Sequence, residues 1–285
     1  MLSFITWDVN PEAFNLLGRE IRWYGICWAI GVLCTSFVVQ KMYQSEKHPE
    51  KWFDTLFLYV LVGLIIGARL GHCLFYAPEY YLTHPLEILK IWEGGLASHG
   101  GAIGMTIAVF LHSYRITKKG MIWSLDRLVV GVAIGAAFIR IGNLMNSEIY
   151  GGITSLPWGF NFVRDKEWHM PIEMGGSGEL PCHPTQIYEA LIYLAIFAVS
   201  MYLFWKTNAK DKKGLILGVS LIGIFLSRFF IEYIKNIQEP FELQMQATFG
   251  INMGQLLSLP FIIWGIWLVW NALRKKDITT INNKK

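Results

Sequence analysis

The sequence predicts an all-α polytopic membrane protein of about seven transmembrane helices with a small extracytoplasmic cap. Three observations carry that expectation. Hydrophobic residues make up 53% of the 285 before the 27 glycines are added, and charged residues only 16%; a soluble domain averages roughly 45–50% apolar with glycine included and roughly 25% charged. The 12 Trp and 12 Tyr suit the two faces of a bilayer, where an amphipathic ring keeps one edge wet. Long apolar runs recur along the chain. Composition also excludes other classes. Disorder needs low hydrophobicity and high net charge, and a net charge of +4 without a basic, aromatic-interleaved stripe gives no reason to expect nucleic acid.

A bilayer core about 30 Å thick takes roughly 20 apolar residues at 1.5 Å each. Runs of that length lie at 21–39, 53–76, 94–113, 122–141, 186–205, 214–233 and 254–273. They leave no room for a large soluble domain, so residues 1–285 read as a single integral membrane domain. An odd number of spans puts the termini on opposite faces. The segments on one side hold fifteen Lys and Arg against five on the other, which makes the carboxyl terminus cytoplasmic and leaves the amino terminus outside. The first cation is Arg19, after Asp8 and Glu12, so no cleaved signal peptide is expected.

The loop 143–185 then faces outward, and its Gly, Pro and aromatic content predicts a small folded cap. The segment 78–93 is expected to lie along the interface as an amphipathic helix. Gly63, Gly67 and Gly71 recur every four residues, as do Gly131 and Gly135, a spacing that lets helix backbones approach closely. Cys27, Cys34, Cys73 and Cys182 lie far apart without CxxC spacing, so neither a zinc site nor a disulfide framework can be read from them. No cofactor and no metal are expected. No internal repeat is visible, which counts against a transporter built of inverted halves.

Polar groups are costly inside a bilayer and mark function by default. Arg140 and Asn143 share a helix face at i, i+3, with Asn146 and Glu148 following. A snorkelling arginine is the plain alternative. Arg228 and Glu232 stand at i, i+4 and can pair, with a purely structural ion pair equally open. His99 lies between Gly94-Gly95 and Gly100-Gly101, glycines read as exposing its ring to a close ligand. Around the start of the fifth run, His183, Gln186, Tyr188 and Glu189 fall within two helical turns.

These residues carry a resemblance. The run from Arg140 to Gly151 resembles the signature of the bacterial prolipoprotein diacylglyceryl transferases, G-R-x-G-N-F-x-N-x-E-x-x-G, departing from it at Ile139 and Leu144. Matches in the same order are Arg22-Trp23-Tyr24-Gly25, the run from Gly94 to Gly101 around His99, the run from His183 to Glu189, Arg228-Phe229 with Glu232, and the run from Gly254 to Pro260. A further departure is Lys235, where the family often has Arg, followed by Glu239-Pro240 in place of Pro-Asp.

The resemblance implies an enzyme of the bacterial plasma membrane. It would move the diacylglyceryl group of phosphatidylglycerol to the lipobox cysteine thiol of a preprolipoprotein, forming a thioether and releasing glycerol phosphate. The partners implied are phosphatidylglycerol, the signal peptide and lipobox cysteine, and the bilayer. A free thiol has a pKa of about 8.5, so a base near neutrality helps to ionise it. His99 is the first candidate and His72 the second. Arg140 and Arg228 suit a phosphate leaving group. Substrate-binding roles are implied for Tyr24, Arg140, Asn143, Asn146, Glu148, Gly151, His183, Gln186, Glu189 and Glu232. The three carboxylates among them are expected to orient the arginines and not to act as nucleophiles.

Overall fold

The computed structural model of the chain describes residues 4–91, 94–164, 180–236, 242, 245 and 248–274. It is mostly helical, and every run predicted to span coincides with a helix: α1 (Trp23–Ser45), α2 (Glu50–Phe75), α4 (Ser98–His112), α5 (Met121–Met145), α6 (Thr185–Lys206), α7 (Leu215–Ile231) and α8 (Met253–Arg274). Between α2 and α4 lies the short α3 (Pro78–Thr83). Five of these helices, α1, α2, α5, α6 and α8, are long and apolar enough to cross a membrane. The 17 residues of α7 rise only about 26 Å. The 15 of α4 run on into a π-helical turn, Ser113–Thr117, that ends on left-handed Lys118. Large apolar side chains such as Leu33, Leu58, Ile107, Leu191 and Ile263 point outward from these helices, as lipid-facing residues do.

Two compact units emerge: Val38–Arg127, and Met1–Phe37 together with Leu128–Lys285. In the first, α2 and α4 pack backbone to backbone. A Cβ on Gly63 would stand 2.7 Å from both the Gly104 carbonyl oxygen and the Ala108 Cβ, and one on Gly71 would stand 2.7 Å from the Gly100 Cα. The every-fourth-residue glycines therefore make helix contact, as their spacing predicted. Arg127 is buried in the same unit, paired with Glu46 at 2.5 Å and stacked over Trp123.

The segment 78–93 departs from expectation. It is not one amphipathic helix but α3 followed by a 3-10 turn, Pro85–Leu89. Pro85 removes an amide donor and bars its predecessor from helical geometry, so His84 takes φ −128° and ψ 65°. Trp92 and Glu93, counted in that segment, lie outside the described residues.

The larger unit holds strands that the all-α expectation omitted: β1 (Ile5–Trp7), β2 (Glu12–Leu16), β3 (Arg19–Arg22) and β4 (Phe160–Phe162). The β2–β3 pair is antiparallel and turns at Leu17-Gly18, with φ of 52° and 81°. Two positive φ values in succession give the turn whose twist matches a hairpin. Pairing through Arg22 also explains why α1 starts at Trp23 and not at residue 21. β1 pairs in parallel with β4, so residues before the first helix join the 143–185 loop. Tyr150, Phe160, Phe162, Cys182 and Leu144 form a buried cluster there with Trp7 packed on it, and Trp7 Nε1 donates to the Leu144 carbonyl at 3.0 Å. Residues 165–179 of that loop lie outside the described residues. Within the same unit α7 meets α8 at Gly218 and Gly265, and α6 meets α7 through a buried Ser200–Ser220 hydroxyl pair at 2.9 Å.

Candidate active site

Helix α5 stops at Met145 because the chain turns left-handed twice, at Ser147 (φ 56°) and Ile149 (φ 61°). A β-branched residue at positive φ is a true outlier, costing about 1–3 kcal/mol. The double reversal turns the Glu148 side chain back onto the helix end, where its Oε1 accepts from Asn143 Nδ2 at 2.8 Å and Asn146 Nδ2 at 3.3 Å. Asn143 Oδ1 in turn accepts from Arg140 Nη1 at 3.2 Å. A guanidinium only donates and a carboxylate only accepts, so the chemistry fixes which way this amide points. Glu148 thus bears on Arg140 through Asn143.

The first turn of α6 holds this strained loop in place. Thr185 Oγ1 donates to the Ile149 carbonyl at 3.0 Å and Gln186 Nε2 to the Glu148 carbonyl at 2.7 Å. Gly151 sits in the same seam, its amide bonded to the His183 carbonyl at 2.8 Å. A side chain there would press on the Ile234 carbonyl and stand 2.8 Å from both His183 Cβ and Thr185 Cγ2.

One turn further along α6, Glu189 Oε2 meets Arg140 Nε at 3.1 Å, and its other oxygen lies 3.7 Å from Lys235 Nζ. Lys235 also reaches Glu232 Oε1 at 3.8 Å, and that oxygen faces Arg228 Nε at 3.4 Å. Charges therefore alternate along Arg140, Glu189, Lys235, Glu232 and Arg228. Tyr193 hydrogen-bonds Arg140 as well. Tyr24 lies over Gly142, where a Cβ would stand 3.0 Å from its Cδ2, and within electrostatic reach of Glu148 and Arg140.

Burial grades this chain. The Glu189 and Lys235 side chains are 1% and 7% exposed, Arg140 18%, and Arg228 39%. Unpaired, each inner charge would cost several kcal/mol; alternation gives each an opposite charge within 4 Å, although neither Glu189 oxygen accepts a hydrogen bond from the described residues, and leaves Arg228 as the open end. Burial pulls the Lys235 pKa below the usual lysine range, while Glu189 and Glu232 work against that and the two arginines work with it. Burial likewise lowers the pKa of His183. Its Nδ1 lies 3.4 Å from the Tyr188 hydroxyl, which accepts from Trp158 Nε1 at 2.9 Å.

His99 belongs to the other unit, in the first turn of α4, and is exposed. Two of its flanking glycines serve packing and not ligand approach. A Cβ on Gly100 would clash with the Gly67 carbonyl, and one on Gly101 would stand 2.9 Å from Leu64 Cδ1. Gly94 and Gly95 take positive φ of 90° and 70°, and Gly95 abuts the His72 ring. His72 itself stacks on Tyr76 at 5.6 Å.

The family profile described as prolipoprotein diacylglyceryl transferase matches residues 11–271. The chain belongs to the prolipoprotein diacylglyceryl transferase family. Its relatives include a phosphatidylglycerol–prolipoprotein diacylglyceryl transferase of Porphyromonas gingivalis, 54% identical and covering 95% of this chain and 96% of its own. Proteins of the same name from Chloroherpeton thalassium (40%; 97% of each chain) and Bacteroides fragilis (42%; 98% of this chain and 99% of its own) are similar over comparable lengths.

For this prolipoprotein diacylglyceryl transferase family member, every expected site residue except the two candidate bases, His99 and His72, lies in the larger unit. Three residues of the network were not anticipated as members of it. Tyr193 stands at i+4 from Glu189 and Lys235 at i+3 from Glu232, spacings that carry the signal. Asn252, whose Nδ2 donates to Glu232 Oε2 at 3.2 Å, is followed three residues later by Gln255, the spacing of a helix-start box just before an apolar run.

Proposed function

We propose that this chain transfers the diacylglyceryl group of phosphatidylglycerol to the lipobox cysteine of preprolipoproteins in the bacterial plasma membrane. The alternating charge chain from Arg140 to Arg228 carries the reading, together with the activity for which the relatives are named. The thiolate sulfur attacks the glycerol carbon that bears the phosphate, a C–S bond forms as the C–O bond breaks, and the electron pair leaves on the phosphate oxygen as glycerol phosphate. The thiol proton passes to a base. Arg228, more exposed than Arg140 at 39% against 18%, takes the departing phosphate, and Arg140 holds the lipid headgroup with Asn143 and Tyr24 beside it. Glu189 and Glu232 keep both guanidinium groups charged and aimed. Asn146, Glu148, Gly151, His183 and Gln186 build the wall against which the substrate lies.

In this reading the seven helices α1, α2 and α4–α8 span the bilayer. The amino terminus is outside and the Lys- and Arg-rich carboxyl terminus cytoplasmic. The loop 143–185, paired with β1, forms the small extracytoplasmic cap. His99 is the base, and His99→Gln is expected to lower turnover by about 10²–10⁴. The test of the function itself is purified protein with phosphatidylglycerol vesicles and a lipobox peptide, read by mass spectrometry for the diacylglyceryl thioether. A peptide with Ser in place of Cys should give none. Absence of thioether from the Cys peptide overturns the reading, and an unchanged rate for His99→Gln moves the base elsewhere.

A further inference from the structure

Glu232 ends its helix facing Arg228 and Lys235, and it rests on a different element, the start of α8. Asn252 Oδ1 accepts from the Gln255 amide at 2.9 Å, and Gln255 Oε1 accepts from the Asn252 amide at 3.0 Å. These are the two reciprocal bonds of a capping box. Gln255 Nε2 adds a bond to the Phe229 carbonyl at 3.2 Å. Capping uses only the oxygen of Asn252. Its amino group does something else: Nδ2 lies 3.2 Å from Glu232 Oε2 and 3.3 Å from the Glu232 carbonyl. Because the Gln255 backbone amide can only donate, Oδ1 must face it, and the amino group must then face the carboxylate. Asn252 and Gln255 are 4% and 2% exposed, so neither bond competes with bulk water. Gly254 completes the seat, since a Cβ there would stand 2.5 Å from Glu232 Cδ and 2.6 Å from Oε1.

We propose that Asn252 is a positioning residue of the transfer reaction. By holding Oε2 it leaves Oε1 turned to Arg228 and Lys235, and so keeps the open guanidinium aimed where the phosphate departs. The inference rests on Arg228 and Glu232 belonging to the active site. Asn252→Ser and Asn252→Asp both retain an oxygen suited to capping while removing the amino group that reaches Glu232. Asn252→Ala removes both functions. We expect the Ser and Asp variants to unfold at temperatures close to that of the parent protein and well above that of Asn252→Ala. Their kcat and kcat/KM, measured per folded enzyme with phosphatidylglycerol and lipobox peptide, should fall together by about 10–100-fold, the worth of a hydrogen bond to a charged group. Asp should be the worse of the two, because it sets a second anion against Glu232.

Glu232→Gln separates the possible failures. If it is inactive while the Ser and Asp variants keep full kcat, the positioning role is overturned and the site reading stands. If Glu232→Gln is itself fully active, the site reading falls and this inference falls with it. An unfolding temperature in the Ser and Asp variants as low as that of Asn252→Ala, with unchanged kcat per folded enzyme, assigns the bond from the Asn252 amino group to stability and overturns the positioning role.

Discussion

Arg69 and Arg140 each stand on an apolar helix, and they are held in opposite ways. Arg69 is 4% exposed and gives its whole guanidinium to main-chain carbonyls. Nη2 bonds Glu87 at 2.6 Å, Nε bonds Ile88 at 2.9 Å, and Nη1 bonds Gly94 at 2.6 Å and Gly95 at 3.3 Å. The Tyr81 ring lies beneath it, and among the described residues no carboxylate pairs with it. Arg140 is held by the side chains of Glu189, Asn143 and Tyr193, and it keeps part of its surface open. Carbonyl partners make a cation into a rivet: the charge fastens Glu87, Ile88, Gly94 and Gly95 onto α2 and is used up doing so. A carboxylate and amide cage fixes the direction of the guanidinium without using every donor. The cost of an arginine among apolar helices is the same in both places, so the partners, and not the cost, separate structure from chemistry.

The sharpest way to break that contrast is Arg140→Lys. Lysine is a point charge that keeps the pairing with Glu189 but loses the planar fork, and activity with phosphatidylglycerol and lipobox peptide should fall by about 10²–10³. Full activity would take the phosphate site away from Arg140. Arg69→Lys should do the reverse. It leaves buried carbonyls unpartnered at about 1–3 kcal/mol each, which thermal unfolding in detergent will register, while activity per folded enzyme stays within about threefold. Loss of activity at unchanged stability would erase the distinction between the two arginines.

The smallest expected effect concerns Lys235. Its lowered pKa means that, as pH rises, the charge linking Glu189 to Glu232 is lost before an ordinary lysine near about 10.4 would lose its own. The sign follows: activity has an alkaline limb below that range, and Lys235→Arg, which stays protonated, moves the limb to higher pH. The neutral-pH rate should change by less than about threefold. Profiles of kcat/KM against pH for the two proteins decide it, and an unmoved limb assigns the titration to another group.

The helices were legible because a run of about 20 apolar residues admits few other readings, and the pairings Arg140–Asn143 and Arg228–Glu232 were legible because helical periodicity brings i, i+3 and i, i+4 together. What escaped depends on contacts between distant segments. The pairing of β1 with β4 joins residues 5–7 to 160–162, and nothing local in three residues announces it. Glu189 was visible as a carboxylate near a His and an amide, but its bond to Arg140 needs α5 and α6 side by side. The break at Pro85 is legible in principle, because a proline bars helical geometry in the residue before it. The glycines around His99 read as exposing its ring to a ligand, whereas Gly95, Gly100 and Gly101 lie against residues of α2.

Ile149 carries a consequence for how this chain tolerates change. Surface connections usually accept an extra residue, because the entropy of closing a loop grows only slowly with its length. The turn between Asn146 and Gly151 has no such slack. The handedness of the backbone at Ser147 and Ile149 decides where Glu148 points, and one added or deleted residue would swing that carboxylate off both asparagines. In this stretch the number of residues is as specific as their identity. Insertions should be tolerated far better in the turn 206–214 between α6 and α7 than between Asn146 and Gly151.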